Sequence, residues 1–485
     1  MRSNLLTGPH SIQTGGRLAR AGVVSALLLA ALALAFAFAR YGRGIVQPGI
    51  LLAASLGLSC LMVWLWLGRL EYGILAMLLS AGLLNFITLP TGTQSRIVIS
   101  LVVGAGCVGA WLLKTLVTAQ RPRLKPSLIN RPLIAFIFVG ILSYAWGNVM
   151  RDPVVYVWAS FPFVQLAALG VNTLLPLLAL FVANQIEDVR WIKAIVWTTL
   201  ALGAFALVAL RFDSPLSSAI SNGSRGLFPT WVGVLAYSQI LFNRDLSRRM
   251  RVVLGVLFAG IILQYFISYL TWFSGWVPLA VACAVVTALH SRRLIVIAAL
   301  ALVPFLAFNA TYYFTDLYQT KVNSGDLQRL DIWSRNLQLV AQHPLLGMGP
   351  AGYAVYNVTY YPQDSRSTHN NYFDVLAQTG VIGFVIFAWL LVAFFRTAMA
   401  TRRRALQGSG FDLAFATAAL GGCAGVVVAM MLGDWVLPFA YNQTITGFDN
   451  ACFTWVMLGA MASLSMIQRH QDAEHDASPI VVSQT

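Results

Sequence analysis

The sequence predicts an all-α, polytopic membrane protein with about 12–14 transmembrane helices and one large structured loop. Three observations predict it. Of 485 residues, 58% are hydrophobic and only 10% are charged, where a soluble domain carries roughly a quarter charged. Mean hydropathy is +0.73. The apolar residues gather in runs of about 17 to 25, the helix length that crosses a hydrocarbon core.

Taken in order, residues 1–20 are polar and form a cytoplasmic tail. Arg2, Arg17 and Arg20 precede the first run as in a signal peptide. With so many runs following, that run reads as an uncleaved first helix. Residues 21–312 hold helices 1–11, in runs at 21–39, 45–67, 72–90, 97–118, 132–149, 163–185, 192–210, 227–242, 252–270, 275–290 and 294–312. Pro153, Pro162 and Pro176 interrupt the stretch around 149–185. A polar segment at 313–372 is long enough to carry structure of its own. Helices 12–14 occupy 373–467, in runs at 373–396, 411–432 and 447–467. Residues 468–485 form a polar, disordered tail.

The net charge of +15 serves topology. With the N-terminus inside, five basic groups fall on the cytoplasmic side: Arg121/Arg123/Lys125/Arg131, Arg190/Lys193, Arg244/Arg248/Arg249/Arg251, Arg292/Arg293 and Arg396/Arg402/Arg403/Arg404. This obeys the positive-inside rule, places both termini in the cytoplasm and turns 313–372 outward. Nucleic-acid binding is therefore not implied. Arg225, Arg329 and Arg366 sit on outer loops against the bias, as if a partner kept them there. The five cysteines, Cys60, Cys107, Cys283, Cys423 and Cys452, lie inside apolar runs and read as small buried hydrophobes.

No HExxH, Walker loop, GxSxG or strand-borne GxGxxG occurs, so neither a metal nor a cofactor is expected. The cytoplasmic loops are too short for a nucleotide-using domain. Any energy for a reaction must arrive with the substrate, as in a lipid-linked phosphate.

Within the outer loop, Asp326–His343 is an amphipathic helix. Leu327, Leu330, Trp333, Leu337 and Val340 recur at helical spacing, Ser324 or Asp326 supplies the N-cap and Pro344 stops it. Asp331 and Arg335 are placed to pair. Arg329 bonds Asp326, lies over Trp333, or binds phosphate. Gly347 and Gly349 mark a tight turn with close backbone approach. The tyrosine-rich run 356–373 suits an interfacial belt or a sugar-facing surface.

His10, His470 and His475 are in tails, His290 ends a cytoplasmic helix and His343 reads as a C-cap whose imidazolium complements the helix dipole. His369 alone is outward, among polar residues at a lipid boundary. It is either a catalytic or substrate-positioning group or an ordinary surface histidine. Asn370 or Asn371 could fix its tautomer. Asp374 could orient it or pair with an arginine. Gly380 and Gly383 offer a small-residue face to another helix.

His369-Asn370 followed by Gly380-Val-Ile-Gly383, with Arg329-Leu-Asp-Ile-Trp333 and His343-Pro-Leu-Leu-Gly-Met-Gly-Pro350 upstream, resembles the signature of the bacterial O-antigen ligase, O-antigen polymerase and protein O-oligosaccharyltransferase superfamily. The resemblance covers about residues 325–390; the other helices match in hydropathy only. It implies a multi-pass protein of the bacterial inner membrane, with 313–372 as a periplasmic catalytic loop. The donor it implies is an undecaprenyl-pyrophosphate-linked glycan, the acceptor a glycan or a lipid core, with membrane lipids around them. His369 would be the catalytic base or acceptor-positioning group. Arg225, Arg329, Arg366 and Asn370 would bind substrate. One departure stands out. Where the family shows a Ser-Arg-Gly-type run, this chain reads Thr271-Trp-Phe-Ser-Gly-Trp276, without arginine. Either a loop arginine such as Arg329 or Arg366 replaces it, or the pyrophosphate is held differently.

A transporter or flippase of lipid or polysaccharide precursors is the alternative. It would need charged or broken helices at mid-bilayer, whereas the apolar runs are almost free of charge. A scaffold binding a partner through 313–372 would leave His369 and the outer arginines unexplained.

Overall fold

The computed structural model describes residues 69–86, 88–90, 96–118, 124–209, 225–268, 272–308 and 329–477. The N-terminal tail, the runs 21–39 and 45–67, Cys60, the cap candidates Ser324 and Asp326, and residues 478–485 of the tail lie outside them.

The protein is an all-α polytopic membrane protein. In chain order the described helices are α1 (Leu70–Leu83), α2 (Ile99–Thr118), α3 (Asn130–Val149), α4 (Phe161–Gln185), α5 (Val189–Ala209), α6 (Phe228–Phe242), α7 (Arg248–Ser268), α8 (Phe273–His290), α9 (Arg292–Phe308), α10 (Arg329–Gln342), α11 (Tyr353–Tyr360), α12 (Asn371–Ala405), α13 (Gly410–Leu432) and α14 (Phe448–Ala477). A helix covers each apolar run from 72 onward. Among the described residues, seven helices are long and apolar enough to cross a membrane. Three shorter apolar ones lie on the runs that begin at 72, 97 and 227. The end of run 72–90 is not helical: β1 (Thr88–Pro90) pairs antiparallel with β2 (Arg96–Val98), Thr88 opposite Val98.

The prolines near 149–185 act as punctuation. Pro153 falls in the connection after α3, and Pro162 sits in the first turn of α4, where its missing N–H costs nothing. Only Pro176 is inside a helix.

The core is built around α14, which packs on α4, α12 and α13. It presents Phe453, Trp455, Met457 and Met461, all fully buried or nearly so. Trp231 Nε1 donates to Thr454 Oγ1 at 2.9 Å, and Ser463 Oγ donates to the Ile186 carbonyl at 2.9 Å. Small residues let the helices close. A Cβ on Gly421 or Gly425 of α13 would come within 2.7 and 2.8 Å of the Ala282 and Pro278 carbonyls of α8, the close backbone approach expected where apolar surface alone cannot drive association. Cys107, Cys423 and Cys452 are buried, Cys283 is partly so, and all four are free thiols.

Connecting loops meet at the two ends of the bundle. At one end, Lys125 pairs with Glu187 at 3.0 Å, Arg404 with Asp472 at 3.4 Å, and Arg469 Nη2 donates to the Pro126 carbonyl at 2.7 Å. At the other, the 150–160 connection meets α11: the Asp152 amide donates to Tyr356 Oη at 3.1 Å, and Tyr360 Oη donates to Asp152 Oδ2.

α10 lies on α11 and α12, and of the predicted stripe Val340 is buried and Trp333 half-buried. Its buried residues are Ile332, Asn336, Leu339 and Val340, while Leu330 and Leu337 are exposed. The packing face is turned because Trp333 is drawn aside to stack on Phe373, centroids 5.1 Å apart.

Gly380 is also used differently from the expectation. At φ 65°, ψ −170° it breaks α12. The segment 344–349 fills the break: the amides of Met348 and Gly349 donate to the carbonyls of Ala377 and Gln378 at 2.9 and 3.0 Å, and the Val381 amide donates to the Pro344 carbonyl at 2.8 Å. What approaches Gly380 is therefore a backbone loop, not a helix, and a Cβ there would lie 2.3 Å from the Leu345 carbonyl oxygen. Gly347, at φ 66°, makes the reciprocal approach to the Ala377 carbonyl. Backbone groups freed within a membrane helix need such partners.

Candidate functional site

A cleft of about 360 Å³ opens between the start of α8, the start of α10, the turn at His369 and the segment after α13. His369, Arg329, Asp434, Trp435, Asn442 and Ser274 are on its walls.

His369 stands on strained backbone, at φ 49°, a region non-glycine residues avoid. Its neighbours hold it there. On the N-terminal side, Thr368 Oγ1 donates to Asp374 Oδ1 at 2.6 Å, and the Thr368 carbonyl accepts from Trp333 Nε1 at 2.8 Å. On the C-terminal side, Asn370 caps α12 by accepting from the Tyr372 amide at 2.9 Å, and its Nδ2 donates to the Met431 carbonyl at 3.3 Å. With both flanks tied down, the imidazole is turned into the cleft. The Arg329-Leu-Asp-Ile-Trp333 motif thus does two things at once: it brings a guanidinium to the cleft and clamps the turn that carries His369.

Beneath the turn lies a buried polar cluster. Asp374, 1% exposed, accepts from Tyr353 Oη at 2.5 Å as well as from Thr368. Burial and the Asp374 carboxylate push the Tyr353 phenol well above its ordinary value, so it remains a donor. Asp374 neither reaches His369 nor pairs with an arginine, as a sequence reading could suppose. It supports the loop on which His369 is mounted.

The tautomer-fixing partner is also not the expected one. Asn370 is occupied by its cap. Asn371 Nδ2 donates to the Leu437 carbonyl at 2.7 Å, and its Oδ1 accepts from the Val436 amide at 3.0 Å. The amide at the imidazole is Asn442, whose Nδ2 lies 3.0 Å from His369 Nδ1 and 2.6 Å from Asp434 Oδ1. Asp434 Oδ2 accepts from the Phe439 amide at 3.0 Å. Burial pushes the Asp434 carboxyl upward, against the Phe439, Asn442 and Gln443 donors that favour its charge.

The predicted arginines separate. Arg329 lines the cleft. Arg366 is joined to Asp364 at 2.6 Å, and Arg335 reaches the same carboxylate at 3.3 Å. The Arg366 hydrogen bond, then the charges of Arg366 and Arg335, hold Asp364 below its ordinary value. Arg366 is outside the cleft lining. Exposed Arg225 is outside it too, but the next residue, Gly226 (φ 64°), abuts Trp435, where a Cβ would come within 2.7 Å of the indole.

The tyrosine run is spent within the protein. Tyr361 Oη donates to Gln338 Oε1 at 3.1 Å and Tyr372 Oη to the Val427 carbonyl at 2.9 Å. His343 follows α10, edge-on to Tyr356 at 5.0 Å. Burial lowers its pKa, opposed by Asp152, which favours the neutral ring over the expected imidazolium.

Sequence reasoning missed Asp434, Trp435 and Asn442. A signal for Asp434 was present: it is an acid two residues beyond an apolar run, the situation that drew notice to Asp374.

Residues 273–388 match a family model described as O-antigen ligase. The matched stretch runs from the start of α8 through α10, α11 and His369 to beyond the break in α12, and it supports the superfamily named by the sequence resemblance. The Asp434–Gln443 wall lies beyond it. No curated protein matches the chain.

Proposed function

With His369 and Arg329 both inside the segment that matches the O-antigen ligase family model as the premise, we propose that the protein transfers or polymerises an undecaprenyl-pyrophosphate-linked oligosaccharide. The reaction takes place at the periplasmic face of the bacterial inner membrane, with both termini in the cytoplasm and a glycan or lipid core as acceptor. Glycan transfer of the O-antigen ligase or polymerase type is the level that the family match supports; the donor, acceptor and membrane face are the proposal. The observation that carries it is the meeting of His369 and Arg329 on the walls of one cleft.

The acceptor hydroxyl oxygen bonds the anomeric carbon. The bond from that carbon to the diphosphate breaks, and its electron pair leaves on the diphosphate. Direct displacement inverts the anomeric centre. The growing charge is what a guanidinium offsets. The imidazole can take the hydroxyl proton or donate to an anionic oxygen, according to which ring nitrogen carries hydrogen. Arg225, next in sequence to the Gly226 that abuts Trp435, would extend the donor site, whereas Arg366 with Asp364 would meet glycan outside it.

One observation favours the transporter alternative: α12 is a broken helix, as in many transporters. Its freed backbone groups, however, are taken by residues 344–349, not left for a passing substrate. His369→Ala in purified protein tests the reading. Transfer from a lipid-linked glycan should fall by about 10²–10⁴-fold; transfer at the wild-type rate would overturn it.

A further inference from the structure

We propose that Asp434 and Asn442 are positioning residues that keep the ring hydrogen of His369 on Nε2, so that the imidazole meets the donor's diphosphate as an N–H donor. The inference rests on the glycan-transfer reading and names the part of the substrate that His369 contacts.

Asp434 is 1% exposed. Both carboxyl oxygens receive N–H groups, Oδ2 from Phe439 at 3.0 Å and Oδ1 from Asn442 at 2.6 Å. A carboxylate only accepts, so it obliges Asn442 to turn Nδ2 toward it. The opposite amide orientation would set Oδ1 against a carboxylate oxygen at 2.6 Å. The same Nδ2 lies 3.0 Å from His369 Nδ1, and its second hydrogen is available there. Two donors cannot face each other, so Nδ1 accepts and the neutral ring carries its hydrogen on Nε2. Taking up a proton would place hydrogen on Nδ1, against Asn442. The contact that fixes the tautomer therefore also resists a base role.

The cleft holds a further donor. The Arg329 guanidinium, which has donors and no acceptor, is on the same walls. An imidazole N–H and a guanidinium match the oxygens of a diphosphate. In the transfer step the hydroxyl oxygen bonds the anomeric carbon, the departing electron pair goes to the diphosphate that these donors hold, and the hydroxyl proton passes to water in the cleft. Asp434, Trp435 and Asn442 all lie outside the segment matched to the family.

The test uses full-length, ¹⁵N-histidine-labelled protein in lipid nanodiscs, with the His369 signals identified by their loss in His369→Gln. The wild type should show hydrogen on Nε2 and a bare Nδ1, and inorganic diphosphate should shift the Nε2 signal. The lipid-linked donor should do the same at lower concentration, which separates the lipid-borne group from the free ion. The paired exchange Asp434→Asn with Asn442→Asp preserves charge and both bonds, but it makes residue 442 an acceptor. It should melt like the wild type, invert the tautomer and lower kcat by about 10–100-fold, the usual effect of removing a histidine's orienting partner. If the exchange does not fold, Asn442→Leu should leave a mixture of tautomers. Hydrogen on Nδ1 in the wild type, an Asn442→Leu ring still wholly Nε2-protonated, or wild-type transfer by the inverted ring would overturn the inference. Undiminished transfer by His369→Ala, with the wild-type tautomer as stated, would instead sink the glycan-transfer reading and leave the hydrogen-bond assignment standing.

Discussion

The two ends of the helix bundle solve opposite problems. At one, the basic residues stand in water. Lys125 pairs with a Glu187 side chain that is 77% exposed, and Arg404 with an Asp472 that is 62% exposed. Such pairs contribute about 1 kcal/mol or less. At the other end polar groups are taken out of water. Thr368, Asn371, Asp374 and Asp434 are buried, and each is tied to named partners. A buried polar network has few ways to be satisfied and so specifies one geometry. Charge in water adds little stability; polar groups out of water shape a site.

The sharpest way to break the second arrangement is at Gly380. Gly380→Val would place a branched side chain at positive φ, with its Cβ 2.3 Å from the Leu345 carbonyl oxygen. It should destabilise the protein by about 3 kcal/mol or more, read as lost detergent-extractable, monodisperse material. Next is a contrast between arginines. Arg329→Gln should reduce glycan transfer by about 10²-fold with the melting profile preserved. Arg366→Gln gives up an exposed pair with Asp364 and should cost less than about tenfold. Equal losses would mean that the cleft is not where charge is stabilised. The smallest effect belongs to the basic end: Lys125→Gln should alter stability by less than about 1 kcal/mol, and transfer should be unchanged.

How much was legible follows the same division. The apolar runs from 72 to 467 located helices because a membrane demands contiguous apolar length, a local property. His369 and Arg329 stood out in the sequence as polar residues in a polar segment between apolar runs. The face of α10 was not. Helical periodicity offered Leu330, Trp333, Leu337 and Val340, of which only Val340 is buried; Trp333 instead reaches the Thr368 carbonyl, 35 residues away. Asn370 and Asp374 were noticed for their nearness in sequence to His369, yet one caps a helix and the other braces Tyr353 and Thr368. Asn442, which touches the ring, is 73 residues away.

By itself, then, the sequence determined that the chain spans a membrane many times and singled out one histidine as the candidate, because hydropathy and charge act residue by residue. Only the tertiary structure decided which amide faces that imidazole, which arginine shares its cleft and what fills the break at Gly380. Each of those is a hydrogen bond or a close approach between distant segments, and its partner is set by how the helices pack.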